Sequence, residues 1–173
     1  MKEYKSTETS IQSAKVDTHK SLSGSKDMPD YILFDGEKVQ TGLWIDVPEN
    51  FRVRLEFLSK PDIDQGADIN VKDGFLILQD GEEIELLRTW HDPKFESFVE
   101  YSGYSKSGRV LVNNVYKVNR SGQEFEERWT GNAGMLVEAL ENNEFILKCS
   151  SCHYNPPNFE SIVFKVSIVN NGS

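Results

Sequence analysis

Both cysteines of the chain and one of its three histidines lie within five positions, as Cys149, Cys152 and His153. Three chemistries share that spacing. Two thiols followed by an imidazole is the pattern of c-type haem attachment, in which the thiols add to vinyl groups and the histidine ligates iron. The context disfavours it, because such sites are built after export in small helical domains, whereas this motif continues the alternating run Phe145, Leu147, Cys149. Zinc needs a fourth donor, which His91 or His19 could supply to Cys149, Cys152 and His153. A redox dithiol needs a helix N-terminus to activate its attacking thiol, and no helical pattern starts here. The least demanding reading is structural, with Cys149 as a small apolar residue on the inner side of a strand and Cys152 to Pro157 as the loop into the next.

Carboxylates supply the second candidate. Asp62, Asp64 and Asp68 flank Gly66 in a loop-rich stretch, and a hard cation such as calcium asks for several oxygens on a tightly bending segment. The spacing departs from the EF-hand, since no glutamate stands at the twelfth position, and solvated turn carboxylates are the simpler reading. Trp90, His91 and Asp92 put an aromatic, an imidazole and a carboxylate in succession, but neighbours on a strand point to opposite faces. No nucleophile elbow, zinc-protease helix, phosphate loop or dinucleotide fingerprint occurs, so no enzyme activity is assigned.

Aromatic residues near turns form the third set: Trp90, Tyr101, Tyr104, Trp129, Tyr154 and Phe159. Tyrosine and tryptophan give large contact area at low entropy cost, which suits protein interfaces and the stacking of sugar rings alike. Trp44 and Trp129 are expected in the core, and Trp90, Tyr101, Tyr104 and Tyr154 at the surface.

Net charge is −9, and the first 27 residues, with five lysines against four carboxylates, contribute none of that acidity. An acidic body repels phosphate backbones and anionic lipid, so nucleic acid is disfavoured as a partner. A basic protein is favoured. Glu124, Glu126 and Glu127, with Glu82, Glu83 and Glu85, would steer such a partner in the manner of an immunity protein or small inhibitor. A glycan or small ligand at the loop tips, with calcium as an aid, is the alternative. No apolar run approaches the ~20 residues that cross a bilayer, and the amino-terminal stretch lacks the apolar core of a secretory signal, so a cytoplasmic chain is expected.

The elements that must position these groups read as strands. Phe51, Val53, Leu55 and Phe57 alternate with Arg52, Arg54 and Glu56, and Ile162, Phe164, Val166 and Ile168 alternate with Lys165 and Ser167. Asp35-Gly36, Asp73-Gly74, Asp80-Gly81, Ser107-Gly108, Ser121-Gly122 and Asn142-Asn143 offer turn chemistry between weaker runs. About nine or ten short strands and no long helix follow, with Met135 to Leu140 read as strand. The expected architecture is an all-β antiparallel sandwich of jelly-roll or Greek-key type over residues 28–173, with a lipocalin-like barrel as the alternative. Residues 1–27, rich in Ser, Thr and Lys, read as a flexible arm.

Overall fold

A computed structural model describes residues 1–22, 29–93 and 98–170. The fold is all-β. In chain order the elements are β1 (Glu3–Tyr4), α1 (Ile11–Ser21), β2 (Ile32–Phe34), β3 (Glu37–Val39), β4 (Leu43–Asp46), β5 (Asn50–Phe57), β6 (Gln65–Ile77) and β7 (Glu83–Ile84). There follow β8 (Leu86–Trp90), β9 (Phe98–Arg120), β10 (Gln123–Glu127), β11 (Gly134–Ala139), β12 (Glu144–Ser150) and β13 (Ile162–Asn170). Ten of the strands make one antiparallel sheet, in the order β11-β12-β13-β5-β9-β6-β7, with β4 and β10 also on β9 and β8 on β6.

Two strands are long because two expected turns are not turns. Asp73-Gly74 and Ser107-Gly108 were read as breaks between short strands; β6 and β9 run straight through them. Both glycine pairs sit opposite one another, where the β6/β9 register jumps between Lys72↔Arg109 and Gly74↔Ser105. Three residues of β9 there face one of β6, a bulge that bends both strands. On the far flank β9 pairs first with β5, over Phe98–Tyr104, and then with β4, over Arg109–Val112. The bend therefore divides one sheet into two layers. One core fills the space between, with Phe51, Val53, Leu55, Leu147, Phe164 and Val166 from one layer and Leu43, Ile45, Ile69, Val71, Val110 and Val112 from the other. The sheet order among the described strands does not close on itself, so the barrel alternative is not realised.

Ser105 ties the crease. Its hydroxyl is buried, donates to the Lys72 carbonyl at 2.5 Å and accepts from the amides of Gly108 at 3.0 Å and Arg109 at 3.2 Å. Gly74 lets the chains touch: a Cβ there would lie 1.8 Å from the Tyr104 carbonyl oxygen.

Residues 1–22 hold β1 and α1 where an arm was expected. Ser10 caps α1, its side chain accepting from the Ser13 amide, and Ile11, Ala14 and Thr18 share its buried side. With Tyr4, Ile32, Phe34 and Val39 they form a second, smaller core over the three-stranded sheet β1-β2-β3. The periodicity was faint because a single apolar residue per turn carries it. Ser167, expected outward on β13, is 5% exposed, since the outer side of that strand is also covered. No helix among the described residues is long and apolar enough to cross a membrane.

Gly74→Ala is expected to lower the unfolding free energy by about 3 kcal/mol, because the clash is with backbone and the crease cannot open without splitting β6 from β9. Gly81→Ala, at φ +87 with nothing within 4 Å of the added carbon, should cost only about 1 kcal/mol. Chemical denaturation of the two variants checks the difference.

Candidate functional site

Strand alternation decides which side chains leave the core. On β4, Leu43 and Ile45 point inward, so Trp44 and Asp46 point out; on β9, Val110 and Val112 point inward, so Arg109, Leu111 and Asn113 point out. On β6 the outward set includes Asp68 and Lys72, and Asp68 lies directly across from Asn113. The outer face of this layer is thus polar at its centre, yet Asp68 is 0% exposed and Asn113 is 1% exposed.

What buries them is a lid of arginine and tryptophan. Arg88 on β8 makes a fork on Asp68, with Nε and Nη2 each 2.8 Å from a carboxylate oxygen, and Arg128 adds Nη1 at 3.3 Å. A buried carboxylate without such partners would cost several kcal/mol. Its next neighbour, Trp129, takes φ +64, a left-handed conformation that is rare for an aromatic residue. Its Nε1 donates to the Thr41 carbonyl at 3.0 Å, the same oxygen that accepts from Asn113 Nδ2 at 2.8 Å. Asn113 Oδ1 is buried and has no hydrogen-bond partner among the described residues. Gly42 leaves room for that amide, since a Cβ there would lie 2.5 Å from Asn113 Nδ2.

The result is a groove of about 570 Å³ between α1, β4 and the segment before β11. Trp44 and Trp129 line it, 44% and 43% exposed, with Lys15 and His19 from α1, Asp30, Asp46, Arg109 and Asn113. Both indoles were expected in the core. Trp44 is outside because of its strand parity, and Trp129 because it sits in the connection after β10. Cations lie over the rings: the Arg109 guanidinium is 4.2 Å from the Trp44 centroid, and the Arg128 guanidinium 4.6 Å from that of Trp129. Lys15 Nζ is 5.7 Å from the Trp129 centroid and also donates to Thr41 Oγ1. Burial without a carboxylate lowers the Lys15 pKa.

The residues singled out by sequence are dispersed. Trp90 and Tyr101 meet in a cleft of about 1010 Å³ with Arg88, His91 and Asp92. Tyr104 instead packs on Phe75, with centroids 5.7 Å apart. Tyr154 is half-buried, and its carbonyl accepts from Asn132 Nδ2 at 2.7 Å. Asp62 and Asp64 line a neighbouring cleft of about 650 Å³ with His91, Lys117 and His153, while Asp68 lies under its two arginines. No three His, Cys, Asp or Glu side chains converge as metal ligands among the described residues.

The cysteines belong to different clusters. Cys149 is 0% exposed in the main core, where burial raises its pKa steeply. Cys152 packs against Tyr116, Val118 and Ala133, and burial raises its pKa too. Both thiols are free. His153 Nδ1 is 2.9 Å from Ser151 Oγ and 3.8 Å from Cys152 Sγ. Burial pushes the Tyr116 phenol up to about 12. Since Thr130 Oγ1 donates to Glu127 at 3.0 Å, the phenol must donate to Thr130 Oγ1, and it accepts from the Thr130 amide at 3.0 Å.

The glutamates of β10 are answered locally. Glu124 pairs with Lys117 at 3.8 Å, Glu126 with Arg88 at 3.6 Å, and Glu127 takes a fork from Arg120 at 2.7 and 2.9 Å. Comparison of the chain with protein-family models, with curated proteins and with solved structures finds no match, so any functional reading rests on this geometry.

Asp68→Asn is expected to destabilise the protein by about 3 kcal/mol, because it strands two guanidinium groups over a buried amide. Glu126→Gln, at the wet end of Arg88, should cost less than about 0.5 kcal/mol; thermal or urea unfolding separates the two. The neutral Tyr116 phenol is favoured in the folded state. Its contribution to stability is therefore complete below pH 10 and lost as pH rises toward 12. In an absorbance titration, one of the six tyrosines should ionise last, at about 12, and Tyr116→Phe should remove that step.

Proposed function

We propose that the domain is a binding protein whose ligand is a saccharide seated in the Trp44–Trp129 groove. One observation carries the reading: two half-exposed indoles, 85 positions apart in sequence, line a single concave site that also holds polar side chains. Indoles offer a flat apolar face for the C–H side of a sugar ring, and such sites combine that face with a few oriented polar groups. Asp30 and Asp46 provide acceptors for ring hydroxyls.

Docking of a basic protein has narrower support. Glu82, Glu83 and Glu85 are exposed and make no ion pair with a described residue, but Glu124, Glu126 and Glu127 are each matched by a cation of the same chain. The calcium-assisted version asks Asp68 to leave two arginines.

A glycan array followed by calorimetry tests the reading. Trp44→Ala and Trp129→Ala are each expected to weaken the bound saccharide at least ten-fold, about 1.4 kcal/mol, while Trp44→Phe keeps most of the affinity. Trp90→Ala, in the other cleft, should leave binding unchanged. Retained affinity in both indole variants, with unfolding midpoints intact, would refute the assignment.

A further inference from the structure

In a molecule of net charge −9, the groove lining carries as many cations as carboxylates, Lys15 and Arg109 against Asp30 and Asp46. Most described arginines and several lysines are held by carboxylates: Arg52 and Arg54 by Glu100, Arg88 and Arg128 by Asp68, Lys117 by Asp64 and Glu124, and Arg120 by Glu127. Arg109 is the one described arginine that is not, and Lys15 and Lys72 share this with Lys5, Lys20, Lys38, Lys60 and Lys106. None of Lys15, Lys72 and Arg109 has an ion pair with any described carboxylate, although Asp46 faces Arg109 directly in the β4/β9 register. All three lie on the indoles of one site: Arg109 4.2 Å and Lys72 5.9 Å from the Trp44 centroid, and Lys15 5.7 Å from that of Trp129. Asp30 and Asp46 are the opposing charges there.

We infer that the saccharide bound in this groove is an acidic one, whose carboxylate or sulfate is received by Lys15 and Arg109 while its ring lies on the indoles. This rests on the saccharide reading above and narrows it. Arg109 presents a planar donor fork suited to an oxyanion. Lys15 emerges from the half-buried side of α1, where burial lowers its pKa and a nearby anion would act in the opposite direction. Both ring cations sit at positions where charge and stacking act on the same ligand. Acidity elsewhere on the surface repels every anion at long range, so the short-range contact of the ring with the indoles has to add to the charge contact.

The test uses the full chain with four kinds of oligosaccharide: uronate-containing, sialylated, sulfated and neutral, the uronate also in carboxyl-reduced form. Tight binding of an acidic member is expected, at least ten-fold stronger than that of its reduced or unsulfated counterpart, and weakening as salt is raised. Arg109→Gln and Lys15→Gln should each erase most of that ratio of acidic to neutral affinity. Thermal melts establish that the variants fold, and either variant suffices. Equal affinity for acidic and neutral saccharides, or a ratio unchanged in both variants, overturns the inference and leaves the saccharide reading standing. Failure of every member of the panel to bind overturns both.

Discussion

The crease between Lys72–Gly74 and Tyr104–Arg109 is the constraint on which the rest depends. A single sheet cannot bury a face against itself unless its long strands bend, and a bend leaves amides and carbonyls without ladder partners. Here the three-against-one bulge supplies the bend, and Ser105 collects the loose groups: one hydroxyl donates to the Lys72 carbonyl and accepts two amides of β9. Gly74 matters for a different reason, the contact of its Cα with the Tyr104 carbonyl. Once the crease is set, β5, β12 and β13 lie over β4, β6 and β9, and Phe51, Phe164 and Ile69 share one core.

Folding the sheet this way gives the outward face of the second layer its character. That face carries a carboxylate and an amide at its centre, Asp68 and Asn113, a pairing that would be unremarkable in water and is costly once covered. The chain covers it nonetheless, with Arg88 and Arg128 neutralising Asp68 and the Thr41 carbonyl taking the Asn113 amide nitrogen. Trp129 is drawn into a left-handed backbone conformation, which costs on the order of 1 kcal/mol or more for such a side chain. The indole N–H bond to Thr41 holds it there. Strain, a buried charge cluster and an orphaned acceptor within a few residues of each other mark a place where the sequence serves something other than stability.

The groove sits beside that cluster. Its rigidity comes from the sheet beneath and from α1, which is itself held by the small core around Ile11 and Phe34. The amino-terminal segment is thus part of the site, because Lys15 stands one helical turn after the buried Ile11, at the border of the buried stripe, and that packing brings it to the groove. The clefts around Trp90 and His91 are larger, and two of their cations are held by carboxylates, Lys117 by Asp64 and Glu124 and Arg88 by Asp68 and Glu126.

Local pattern determined the all-β class, the alternation of Phe51, Val53 and Leu55 and of Ile162, Phe164 and Val166, and the tight turns at Asp35-Gly36, Ser121-Gly122 and Asn142-Asn143, where both central residues take positive φ. It also contained the exposure of Trp44, one position out of phase with Leu43 and Ile45, although residue type argued for burial. These features are legible because they depend on neighbours two or three residues away. The continuity of β6 and β9 through their glycines, the union of Trp44 with Trp129, and the separation of Asp68 from Asp62 and Asp64 were decided only by tertiary structure. A glycine that turns a chain and one that lets two strands touch look alike in sequence. What distinguishes them is the partner strand, which arrives from some thirty residues away at the crease and supplies the register.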